Sequence, residues 1–148
     1  MTQGSFFAAS AKRVFVANID GASRGNPGPA AAAWVIRDAA DGQVVIEEGL
    51  CLGEETNNRA EYFALLFALE DAHLLKAESL TVRSDSELLV KQMKGMYRVK
   101  NTNLKSLFAR AKRLASALKS FHIEHVPREE NKDADRAANA ALDACNMA

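Results

Sequence analysis

The sequence predicts an α/β fold built on one mixed β-sheet. Three strand-like runs follow one another before residue 56, with a hairpin signal between the second and the third. Two later strand-like runs alternate with helical patterns. Consecutive strands pair as an antiparallel meander, whereas strands separated by helices pair in parallel. About five strands should therefore form one mixed sheet flanked by helices.

Each element has its own signal. Residues 12–20 alternate apolar and polar (Val14, Val16, Ile19) and end on Asp20, after which Gly21, Gly25, Pro27, Gly28 and Pro29 mark a backbone-determined turn. Residues 30–37 and 44–52 read as the second and third strands, with Asp41-Gly42 as the hairpin turn. Thr56-Asn57-Asn58 offer caps to a long helix whose Phe63, Leu66, Phe67, Leu69 and Leu74 form a broad apolar face. Leu80–Arg83 is a short strand, and Ser84-Asp85-Ser86 opens a helix that Gly95 stops. Asn101-Thr102-Asn103 cap another helix, with Leu104, Leu107, Phe108, Ala111 and Leu114 along one face. Residues 121–126 alternate as the fifth strand, Pro127–Asn131 form a loop, and Lys132–Ala144 form an alanine-rich last helix.

With 148 residues, 48% of them hydrophobic and 26% charged, the chain has an ordinary globular composition. Its apolar runs are too short to span a bilayer. Residues 1–11 lack the basic start and long apolar middle of a secretory signal. They are expected to be a frayed N-terminal segment, and 12–148 a single domain. Cys51 and Cys145 have neither CxxC nor metal-site spacing, so reduced, unpaired thiols in a cytoplasmic protein are expected, the alternative being a Cys51–Cys145 bridge that would pin the C-terminal tail. Net charge is zero, which excludes a general polyanion sponge. The distribution is uneven, however: between Glu87 and Glu124 there is no acid and there are nine cations, a one-signed patch suited to a polyanion.

Among the 19 acids, four occupy unusual positions. Asp20 ends a strand, Glu61 lies in the first turns of a helix, Asp85 sits where a strand becomes a helix, and Asp135 lies early in the last helix. Taken singly, Asp85 is explained as a helix cap, and Glu61 and Asp135 by the positive end of a helix. Together they fall where ligands bind in α/β sheets, at strand ends and helix starts. Clustered carboxylates repel one another unless a cation joins them. Hard oxygen donors select Mg²⁺, with Mn²⁺ as an alternative, over zinc. Two such ions roughly 4 Å apart activate water and stabilise the leaving oxygen of a phosphodiester. His73, His122 and His125 form no zinc motif, and strand alternation sends His122 and His125 to opposite faces.

The segments "IDGASRGNPGP", "TNNRAE", "SDSELLVKQ" and "NKDADRAAN", in this order, resemble type 1 ribonuclease H over residues 12 to about 143. The resemblance implies a sheet of order 3-2-1-4-5 whose first three strands are antiparallel. It implies a metal-dependent endonuclease that cuts the RNA strand of RNA–DNA hybrids, with two ions per site and no obligate protein partner. Carried onto this sequence, the catalytic and metal-binding residues would be Asp20, Glu61, Asp85 and Asp135. Asn26 and Asn58 resemble residues that contact the substrate backbone, Thr56 resembles one that grips a DNA phosphate, and Gly21 would let the backbone approach nucleic acid closely. Arg110, Lys112 and Arg113 in the basic run are further expected duplex contacts.

The sequence departs from the family's pattern in three places. Several relatives carry a histidine in the loop before the last helix; here that loop is Pro127–Asn131 and holds none, leaving Glu129 and Glu130 as substitutes. Residues 94–103 are too short for the basic protrusion of some members, which places the chain with the compact prokaryotic subgroup. Ala30–Ala33 stand where relatives are often glycine-rich. The same scaffold also serves transposase and integrase cores and could serve a non-catalytic nucleic-acid-binding module. The presence of all four acids, Asp135 included, favours the ribonuclease.

Overall fold

The computed structural model describes residues 13–145. The expected frayed segment, residues 1–11, lies outside them. Five strands, β1 (Val14–Ser23), β2 (Gly28–Asp38), β3 (Val44–Glu55), β4 (Ser79–Ser84) and β5 (Ser120–His125), form one sheet of order β3-β2-β1-β4-β5. β1, β2 and β3 pair antiparallel, and β4 and β5 join parallel to β1. Among the described residues four α-helices accompany them: α1 (Asn57–Leu74), α2 (Glu87–Met93), α3 (Thr102–Ser116) and α4 (Lys132–Cys145). A short 3-10 turn, Arg128–Glu130, lies in the loop before α4. None of the described helices is long and apolar enough to cross a membrane.

The alternation of β1 builds two layers. Phe15, Ala17 and Ile19 face the core shared with α1, whose Leu65, Leu66 and Leu69 are buried with them. Trp34, opposite Ile19 on β2, stacks on Phe67 of α1 with centroids 5.0 Å apart and donates its indole N–H to Asp71 at 2.7 Å. The other face carries Asn18 and Asp20 and is covered by α4, which packs on β1, β2 and β3. That helix lies close to the sheet because Gly49 has no side chain: a Cβ there would sit 2.7 Å from the Ala137 carbonyl oxygen. Ala30–Ala33 are no more than 1% exposed. Methyl groups are therefore accommodated in the buried centre of the sheet.

Two expectations are corrected. β1 does not end at Asp20; it runs on to Ser23, because β2 continues to offer partners in Ala32, Ala31 and Ala30. The strand that does end is β4, whose last pairing is Ile19 with Ser84. Asp20 is thus the first β1 residue beyond its parallel neighbour, and the tight turn falls at Arg24–Pro27. Second, Cys51 on β3 and Cys145 at the end of α4 are joined in a disulfide, with Cα atoms 6.0 Å apart, rather than standing as unpaired thiols. They are 94 residues apart in sequence. Only the lie of α4 across the sheet brings them together, so no local spacing marks the pair.

Candidate active site

The end of β4 leaves a gap beside Asp20, and three other elements converge on it. α1 starts there because Thr56 caps it, its side chain accepting from the Arg59 N–H at 3.2 Å. One turn later, Glu61 points back at β1. Gly21 makes this approach possible: a Cβ at that position would lie 2.3 Å from the Ala60 carbonyl carbon and the Glu61 nitrogen. Its N–H donates to Glu61 Oε1 at 2.6 Å. Gly21 is buried, and its close approach is to the backbone of α1. Asp85 follows Ser84 at the end of β4, just before the Ser86 cap of α2. Asp135 arrives on the first turns of α4.

Asp20, Glu61 and Asp85 each offer a carboxylate oxygen, and these atoms lie within 4.8 Å of one another. Asp20 and Glu61 are only 6% and 4% exposed. Burial, then the charges of Asp85 and Asp135, push the Asp20 carboxyl up to about 8. Glu61 is held well above its ordinary value, first by burial and then by Asp20 and Asp85, against the opposing Gly21 bond. Asp85 is also raised by burial, and Arg128 pulls the other way. Asp135 is not one of the close trio; it lies at its rim, within hydrogen-bonding reach of Asp20. Together these groups line a cavity of about 330 Å³. An all-oxygen trio that burial and mutual repulsion keep from ionising together fits a small hard divalent cation, which would relieve both.

The loop residues lie on the same edge. Asn26 accepts from the Asn57 N–H at 3.0 Å, tying the tight turn to the start of α1, and Asn58 is exposed beside it. The cations of α3 lie elsewhere and do not line the carboxylate cavity. Arg110 is paired with Glu70, Lys112 donates to the Met93 carbonyl at 3.2 Å, and Arg113 is exposed.

Residues that sequence reasoning passed over also stand here. Arg128 lines the cavity, lies 3.4 Å from Asp135, and its charge acts on both Asp20 and Asp85. The search for a loop histidine led to Glu129 and Glu130, but both line a separate cleft with Arg37 and Arg83. The available signal was that Arg128 is the one cation in "PREEN". Asn131, 1% exposed, and Asn139, beside Asp135, were missed as well. His125 lines an adjoining hollow with Glu61, Asp85 and Arg128, whereas His122 lies in a different groove.

The Reverse transcriptase-like family model matches residues 18–141. Ribonuclease HI of Halobacterium salinarum is 45% identical over 127 residues, covering 86% of this chain and 63% of that protein. The Bifunctional protein Rv2228c of Mycobacterium tuberculosis is 44% identical over 129 residues, covering 87% of this chain and 35% of that protein. The chain therefore spans less than two thirds of these relatives. Among solved structures, LC11-RNase H1 in complex with RNA/DNA hybrid superposes with a TM-score of 0.83 at 40% identity, covering 88% of this chain and 98% of that one.

Proposed function

The chain belongs to the ribonuclease H family, and from that premise we propose that it hydrolyses the RNA strand of RNA–DNA hybrids with the help of divalent cations. The observation that carries this reading is the trio of buried Asp20 and Glu61 with half-buried Asp85, whose carboxylate oxygens lie within 4.8 Å of one another. Asp20, Glu61, Asp85 and, from the rim, Asp135 would hold two Mg²⁺ ions, with Mn²⁺ as an alternative. The chemistry such ions would supply there is activation of water and offset of the charge that grows on the scissile phosphate.

The chain's own residues do the rest. Gly21 holds one oxygen of Glu61, so the other faces the cavity. Arg128 offers a guanidinium to the phosphate or to the leaving oxygen, opposite the carboxylates. Asn26, Asn58 and Thr56, on the lip formed by the turn and the start of α1, contact the hybrid's sugars and phosphates. Amide side chains both donate to and accept from a 2′-hydroxyl, the group that distinguishes RNA from DNA. Arg110, Lys112 and Arg113 extend the contact along the duplex through phosphate charge. The LC11 relative holding an RNA/DNA hybrid supports the substrate class. Substrate choice tests the reading against a transposase-type nuclease core: with Mg²⁺, a hybrid should be cut in its RNA strand while plain duplex DNA stays intact. Equal cleavage of both would overturn it.

A further inference from the structure

Asn131 is a buried, uncharged residue that bonds to β1, to the Arg128 loop and to the start of α4. It is 1% exposed. Its Nδ2 donates to the Ile19 carbonyl at 2.8 Å, immediately before Asp20, and its Oδ1 accepts from Asn18 Nδ2 at 2.9 Å. Its backbone carbonyl accepts from the Asp135 N–H at 3.1 Å, and its own N–H closes the 3-10 turn on the Arg128 carbonyl at 2.9 Å. A buried amide with both ends satisfied holds one orientation, because a flip would set donor against donor and acceptor against acceptor.

These bonds reach β1 at the root of Asp20, the turn of α4 that bears Asp135, and the loop that bears Arg128. A buried asparagine that served only to fill space between β1 and α4 would need no oriented pair of bonds to Ile19 and Asn18. We propose that Asn131 is a positioning residue which sets the spacing of Asp20 and Asp135, and thereby the site's affinity for a divalent cation. Asn18 is its orienter: by donating to Oδ1 it leaves Nδ2 aimed at Ile19. This inference rests on the divalent-cation reading of the trio, and it predicts a division of labour in which Asn131 governs cation affinity but not hold on the duplex.

The test is equilibrium binding of Mn²⁺ to the protein without nucleic acid, with free Mn²⁺ counted by electron paramagnetic resonance. Melting is followed by circular dichroism, and hybrid affinity is measured in EDTA. Partners behind metal ligands typically contribute about 10–100-fold in metal affinity. Asn131→Ala should weaken Mn²⁺ binding by a factor in that range and leave hybrid affinity within about threefold. Asn18→Ala, which retains Asn131, should weaken Mn²⁺ binding several-fold. The double variant should be no weaker than Asn131→Ala alone, since residues acting as a unit are not additive. If either variant melts lower yet binds Mn²⁺ as wild type does, Asn131 is a packing residue and the proposal fails. Should Asn131→Ala not fold, the Asn18→Ala arm decides alone. Asp20→Asn is the separate control: unchanged Mn²⁺ affinity there would overturn the metal reading itself.

Discussion

Asp20 shows how a single carboxyl links folding to chemistry. Without a cation, burial and its neighbours raise it to about 8, whereas an unfolded chain leaves it near the ordinary aspartate value of 3.8. Between those values the folded protein retains a proton that the unfolded chain releases, so stability contributed at this group falls as pH rises from about 4 to about 8. In EDTA, Asp20→Asn should therefore melt higher than wild type, with the gap widening across that window. A gap of 1 kcal/mol corresponds to roughly 2–8 °C in a domain of this size. A gap that narrows as pH rises would contradict this. Asp20→Asn, Glu61→Gln and Asp85→Asn should each lose hydrolysis in Mg²⁺ while keeping hybrid affinity. Losing a metal ligand removes several kcal/mol of transition-state stabilisation, or roughly 10³-fold at 1.36 kcal/mol per tenfold. The loop cation makes a smaller prediction. Arg128→Ala should lower the single-turnover rate by about 10²-fold, the scale of removing one donor at a developing charge, whereas His125→Ala in a well-folded protein should stay within a few-fold. A large loss at His125 would move the role from the loop to β5.

α4 is fastened at both ends: Asn131 ties its start to β1, and the Cys51–Cys145 disulfide ties its end to β3. A cross-link closing a loop this long typically contributes about 2–4 kcal/mol. Cys51→Ser should lower Tm accordingly, and a reductant should reproduce the shift in wild type but not in the variant. An unchanged Tm would mean that the tether does not constrain the unfolded chain. The starts of three helices were legible from their caps: Thr56, Ser86 and Asn101 all cap helices as their positions suggest. The disulfide was not, since it depends on α4 crossing the sheet over Gly49. Nor was the continuation of β1 past Asp20, because Gly21 and Gly25 read alike as turn residues. Only tertiary packing separates a glycine that admits α1 from one with φ of 112° in the turn. Glu61, Asp85 and Asp135 stand near helix starts as the sequence suggests, whereas Asp20 lies within β1 where β4 stops, and Asn131 was not legible, because a buried amide leaves no periodic trace.

The molecule as a whole is neutral but polarised: α2, α3 and the segment joining them carry eight of the nine cations, with Lys119 just beyond α3, while carboxylates cluster at the edge of the sheet. Affinity for a hybrid should fall linearly in log–log form with salt, because the protein's cations displace counterions from the phosphates. Reversing the charges of Arg110, Lys112 and Arg113 together should weaken binding and flatten that slope. An unchanged slope would leave them as solvated charges, as the pairing of Arg110 with Glu70 would then explain. Polarity alone, though, describes any nucleic-acid binder; what separates an enzyme is cation-dependent cutting at the acidic cluster. One gel resolves this. RNA labelled at its 5′ end is presented to the wild-type protein in an RNA–DNA hybrid, in double-stranded RNA and alone, with Mg²⁺ or with EDTA, and Asp20→Asn is run beside it on the hybrid. Internal cleavage of the hybrid's RNA in Mg²⁺, abolished by EDTA and by Asp20→Asn, is the expected result. Cleavage that persists in EDTA or in Asp20→Asn, or an intact hybrid at saturating wild-type protein and Mg²⁺, would contradict it.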